Sequence, residues 1–200
     1  MHRSLPSEGA ACRTLLADLH DDLQARIGRQ RLLWCWESDY HGGGTLLLPG
    51  GHTAAMAYGE LRHAFVCGNF MSTILLAQCL LENVLAAHIA IDAISAQIHQ
   101  RSHETLPKRP AFRETIAAGR RLGILNDTDE RNLIRLSNVR NALTHFRPIL
   151  DDTNLDRRAM DENTHAALVC YEDARFVVGL VVSIFGKPAF LVGGFPNGEG

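Results

Sequence analysis

The chain has 200 residues, 46% of them hydrophobic and 21% charged, with a formal net charge of -2. A chain of this size and apolar content closes its own core, which excludes dependence on disulfides or metal for folding and excludes disorder over most of its length. The slight negative charge excludes attraction of the whole molecule to nucleic acid, so any anionic partner must be drawn by a local basic patch.

The basic residues are almost all Arg, with Lys only at Lys108 and Lys187. Arg is the better bidentate partner for phosphate, although compositional bias explains the preference equally well. Five cysteines without a C-x-x-C pair suit reduced thiols in a cytoplasm. Residues 1–13 lack the apolar core of a secretion signal. The longest apolar stretch, Phe70 to Ile94, is interrupted by Gln78, Glu82, Asn83, His88 and Asp92, too many polar groups for a membrane span. A cytoplasmic location with no membrane association is expected.

Residues of about 11 to 35 place Leu15, Leu16, Leu19, Leu23 and Ile27 at spacings of three and four, which predicts an amphipathic helix. From Glu37 to about residue 60 the glycines Gly42, Gly43, Gly44, Gly50 and Gly51 and Pro49 predict an irregular insert, with a possible small hairpin around Pro-Gly-Gly. Leu61 to His99 is apolar nearly all round and reads as the central helix of a bundle. A short helix is predicted over 112–122, closed by Gly123. In the next helix Asp127 and Glu130 have capping-box spacing and Pro148 is the stop. The last predicted helix runs from about 163 to 185, its β-branched run Val177, Val178, Val181, Val182 and Ile184 leaving a strand as the alternative. Residues 187–200 are Gly-rich and read as a flexible tail. The expectation is one all-α domain over 1–200, an up-down bundle of about five helices with the insert at 37–60.

Two motif matches fail on their own chemistry. The His41-Gly42-Gly43-Gly44 string resembles an oxyanion hole, but no G-x-S-x-G nucleophile elbow accompanies it. The Gly186-Lys187 pair is followed by Pro188, where a phosphate loop needs Ser or Thr. The ten histidines include no H-E-x-x-H, and His99 with His103 read as solvated surface groups, so no metal or cofactor is expected.

Arg140, Asn141 and His145 form R-N-x-x-x-H in the last turns of the helix that Pro148 stops. Requiring Asn directly after the Arg lowers the chance expectation in a chain of this composition to roughly one in twenty. On those residues the chain resembles the HEPN superfamily, helical proteins whose R-x(4 to 6)-H motif ends a bundle helix. The likeness extends to the preceding long apolar helix with its internal Glu82. The resemblance implies a metal-independent endoribonuclease of toxin, antiphage or RNA-processing type, working as a homodimer on RNA. His145 would be the acid/base group, Arg140 the phosphate ligand and Asn141 a polar orienter. One subgroup carries Tyr two positions after the His, where this chain has Arg147, which separates it from those toxins and their partner nucleotidyltransferases.

The residues have their own physical reading. Leu133, Leu136, Val139 and Leu143 form the apolar stripe, with Arg140 at its edge. Arg140 and His145 stand about 140° apart around an ideal helix, so one helix cannot easily bring both to one phosphate. Two such helices about a twofold axis could do so. Arg135 and Arg147 would add local positive field. The alternative is that Arg140 pairs with a buried carboxylate such as Glu82 and His145 meets carbonyls at the helix end. The two functional expectations are therefore RNA cleavage by 2′-hydroxyl transesterification, with a neutralising antitoxin or sensor as possible partner, and a non-catalytic helical module that binds a protein or nucleotide-like ligand.

Overall fold

A computed structural model describes residues 7–193 apart from 100, 102, 104 and 109. The chain is mostly helical, 73% helix and 2% strand. The described helices are α1 (Glu8–Asp21), α2 (Leu23–His41), α3 (Gly51–Cys67), α4 (Phe70–Ile98), α5 (Phe112–Arg121), α6 (Asp127–Thr144), α7 (Leu155–Asp161) and α8 (Ala166–Phe185). The strands β1 (Thr45–Leu46) and β2 (Leu191–Val192) pair antiparallel.

The apolar run from Leu61 to His99 is two helices. Gly68, at φ +81°, supplies the left-handed turn that ends α3, and α4 begins two residues later. The N-terminal helix is likewise broken, at Asp22, whose carboxylate accepts hydrogen bonds from Arg26 (2.8 Å) and Arg29 (3.0 Å). Arg29 is itself buried, donates to the Val66 carbonyl (2.9 Å) and lies over the Phe70 ring, fastening α2 to the α3–α4 corner. The expected stripe of the first helix does not face a core: Leu15, Leu16 and Leu23 are exposed, and α1 packs on α2 alone among the major helix pairs. The side chain of Leu19 lies outside the described residues.

α4 is long and apolar enough to cross a membrane. Here it is the core helix, packed against α3, α5, α6 and α8, with Ile74, Leu80, Leu81, Val84 and Leu85 fully buried. α8 is a helix despite its β-branched run, because Val177, Val178, Val181 and Val182 are buried on its inner side and packing overrides the local preference.

The 37–60 segment is less irregular than its glycines suggest. α2 continues to His41 and α3 starts at Gly51, which confines the irregular part to 42–50. The hairpin around Pro-Gly-Gly does not form. β1 pairs instead with β2, beyond the end of α8. The beginning of the supposed flexible tail is accordingly built into the fold: Phe190 is fully buried against Phe185 and His88, and Lys187 pairs with Asp129 at 2.7 Å. Residues 194–200 of that tail lie outside the described residues.

Several contacts set the level of each helix against its neighbours. Phe70 meets Tyr171 near the starts of α4 and α8, and His88 meets Phe190 toward the other end, so α4 and α8 run parallel. Lys187 reaches Asp129 at the start of α6, and Arg135 lies over Phe176, so α6 runs antiparallel to both. The C-terminal end of α6 therefore sits at the end of the bundle where α4 and α8 begin.

Candidate functional site

α6 begins one residue earlier than the Asp127/Glu130 spacing suggests. Asn126 is the cap: its Oδ1 accepts from the N–H groups of Thr128 (2.9 Å) and Asp129 (3.0 Å), and Asp129 accepts from the Asn126 N–H (2.7 Å). Glu130 and Asp127 serve Arg120 of α5 instead, Glu130 at 3.0 Å. Leu133 and Leu136 are fully buried, while Val139 and Leu143 pack half-buried at the core edge. This stripe fixes the rotation of α6 and with it the direction of the groups at its end.

Arg140 is half-buried, and its Nη1 donates to Asn141 Oδ1 at 3.1 Å. Among the described residues no carboxylate pairs with it. The first two motif positions are thus in contact within one chain. His145 is the C-cap of α6: its backbone is extended (φ -120°, ψ 142°), its N–H donates to the Asn141 carbonyl at 3.1 Å, and its side chain is exposed. The helix stops there because Pro148 disfavours helical backbone at the residue before it and lacks the N–H to continue the ladder. Among the described residues no hydrogen bond joins the His145 imidazole to the Arg140 guanidinium.

Glu82 does not pair with Arg140. It is half-buried and, among the described residues, in no ion pair. The reason is axial register: the level of Arg140 falls near the first turns of α4, so Glu82, about ten residues farther on, lies roughly 15 Å along the axis at 1.5 Å per residue. Arg147 is partly exposed and engages the loop that follows it. Its Nη1 lies 3.4 Å from Asp151, its Nε is buried with no partner among the described residues, and its carbonyl accepts from Asn154 Nδ2 at 2.8 Å. Asp151 also accepts from the Thr153 N–H (2.8 Å) and hydroxyl (2.6 Å), and these bonds first, with Arg147 behind them, hold its carboxyl below the usual carboxylate range. Arg147 therefore shapes the loop after α6, and Asp151 offsets its charge.

The surface around His145 is apolar as well as polar. Phe146 is 91% exposed, and Ile149, Leu150, Met160 and Leu168 are also open to solvent at this end of the bundle. Large apolar side chains clustered at one end mark an interaction surface more often than isolated ones do. Sequence reasoning missed α7 and the ion pair that holds it, Arg158 with Asp173 of α8, which lies beside Asn138 and Val139 of α6. The spacing of Arg157 and Asp161, an i,i+4 pair at 2.9 Å, was the available signal for that helix.

No group of three or more His, Cys, Asp or Glu side chains able to hold a metal occurs among the described residues. All five cysteines are free. No family model, characterised protein or solved structure matches the chain.

Proposed function

We propose that the protein is a metal-independent endoribonuclease of HEPN type, cleaving RNA at a composite site made when two copies bring their α6 ends together. The observation that carries this reading is the state of Arg140: a half-buried guanidinium held only by Asn141, with no carboxylate among the described residues, on the helix end that also presents the exposed His145. A guanidinium left free of a counter-charge at a helix end is available to a phosphate, for which its planar fork is suited. The surrounding Phe146, Leu150 and Leu168 give a twofold partner apolar surface to cover.

In the composite site, Arg140 of one copy binds the scissile phosphate and His145 of the other takes the proton of the adjacent 2′-hydroxyl. The 2′-oxygen attacks phosphorus, the bond to the 5′-oxygen breaks, and that oxygen takes a proton from solvent water and leaves as a hydroxyl, while His145 returns its proton to solvent. Arg140 stabilises the charge developing on the phosphorane, and Asn141 holds Arg140 in place. The products are a 2′,3′-cyclic phosphate and a 5′-hydroxyl end. A role in the cytoplasm as a toxin or antiphage effector, restrained by an antitoxin or sensor protein, belongs to the same proposal.

The test is cleavage of single-stranded RNA by the purified protein in EDTA. Activity should persist, leave a cyclic phosphate and spare DNA of the same sequence. His145→Ala should lose about 10²-fold or more in rate, and Arg140→Lys should also fail because a point charge does not replace a planar fork. Equal degradation by wild type and His145→Ala, or none across varied RNAs, would overturn the proposal and leave a binding module.

A further inference from the structure

A cleft of about 490 Å³ opens between α2, α6 and α8, on a part of α6 away from the His145 end. Its wall includes Trp36, Tyr40, Arg135, Phe176, Gly179 and Ser183. The two ends differ in chemistry. At one, Arg135 lies 4.0 Å over the Phe176 ring without a carboxylate partner among the described residues, and Arg175 and Glu172 both line the cleft in a long 3.6 Å pair. At the other are Tyr40 and Ser183, with Trp36 one helical turn before Tyr40 on α2. Phe176 and Ser183 are seven residues apart on α8, roughly 10 Å at 1.5 Å per residue.

The aromatic end is held in place. Trp36 packs beside the core ring of Phe65, with ring centroids 6.3 Å apart and the planes inclined by 29°. Tyr40 is fixed through its backbone, because α8 ends against it at Gly186, where a Cβ would stand 2.7 Å from the Tyr40 carbonyl oxygen. Gly179 lies in the middle of the wall and is the opposite case. A Cβ there would meet nothing within 4 Å, so the protein's own packing does not require glycine at that position. Glycine in a helix interior weakens the helix, and here it leaves the cleft open.

We infer that this cleft binds a nucleotide unit, its base against Trp36 and Tyr40 and its phosphate at Arg135 and Arg175. Aromatic faces bind any base by stacking, a guanidinium binds the phosphate, and the length of the cleft matches the span from base to phosphate. The unit is either a free mononucleotide or one residue of single-stranded RNA. His145 lies ten residues beyond Arg135 on α6, roughly 15 Å along the axis, and the binding needs nothing from it.

Isothermal titration of the full chain with AMP and with a 2′-O-methyl octaadenylate tests this. The second probe has no free 2′-hydroxyl, so its binding is read whether or not the protein cleaves RNA. Wild type should bind at least one of the two. AMP alone would assign the cleft to a free nucleotide, and tighter binding of the octamer would assign it to a strand. Arg135→Gln should weaken binding roughly tenfold or more. Gly179→Leu should fill the cleft and abolish binding while the melting temperature holds or rises. Absence of binding to either probe at millimolar concentration, or affinity unchanged in both variants, would overturn the inference.

Discussion

Arg158 of α7 donates to both carboxylate oxygens of Asp173 in α8, at 2.6 and 3.0 Å, and Asp173 is only 2% exposed. This two-point pair fastens a seven-residue helix to the core and stands beside Asn138 and Val139, which immediately precede Arg140. Arg158→Ala would leave a buried carboxylate without its partner, which typically costs roughly 3 to 5 kcal/mol. Urea denaturation should give a loss in that range. A loss below about 1 kcal/mol, the range of exposed ion pairs, would mean that Asp173 is solvated in solution.

Phe190 gives a second stability prediction. It follows α8 in a segment whose composition reads as a loose tail, yet its ring is fully buried and touches Phe185 and His88. Phe190→Ala should destabilise by about 3 to 5 kcal/mol, the range for deleting a buried aromatic ring. Removal of everything after Gly186 should cost at least as much, since it also deletes β2 and the Lys187–Asp129 pair. Equal melting temperatures for wild type and Phe190→Ala would place Phe190 outside the core.

His88 couples this contact to pH. Burial holds its pKa below the ordinary value of 6.5, with nearby Asp92 acting weakly in the other direction. A depressed folded pKa means that the unfolded chain takes up the proton first. The contribution of His88 to stability is therefore complete above its unfolded value and is lost as pH falls through its folded value. Melting temperature should fall as pH drops below the ordinary histidine value of 6.5, and His88→Phe should flatten that part of the profile. An NMR titration of the His88 ring with a midpoint at or above 6.5 would contradict the sign.

The legible parts of this fold were those set by local spacing. The stripe Leu133, Leu136, Val139 and Leu143, the stop before Pro148 and the helical character of 163–185 all follow from neighbours within a few turns. Ambiguity arose where two local signals overlapped: Asn126 and Asp129 form the capping box one residue before the equally spaced Asp127 and Glu130. The break at Gly68 was hidden because apolar residues continue on both sides of it. Long-range relations left no trace in the pattern. Two-residue strands such as β1 and β2 have no periodicity to detect, and the separation of Glu82 from Arg140 depends on how α4 and α6 slide past one another. The contact of Arg140 with Asn141 and the exposure of His145 were placed by the helix end, but the proposed two-chain site depends on a partner copy that no local spacing specifies.

That last point can be tested by mixing two inactive proteins. If each site takes Arg140 from one copy and His145 from the other, Arg140→Ala and His145→Ala homodimers each lack one group in both sites. A heterodimer of the two variants has one site missing both groups and one site with both intact. Random exchange at equal concentrations makes about half of all dimers heterodimers, each with one working site of two, so the mixture should recover roughly a quarter of wild-type cleavage. A site built within one chain gives a different result, because every chain in the mixture carries a defect and no arrangement restores a complete site. Recovery should also need subunit exchange, so it should be absent immediately after mixing and grow with time. Light scattering on Phe146→Asp, which puts a charge at the most exposed apolar residue beside His145, should show a shift toward monomer, and activity should fall with it. Wild-type cleavage with no recovery after full exchange would refute the two-chain site and require Arg140 and His145 to act within a single α6.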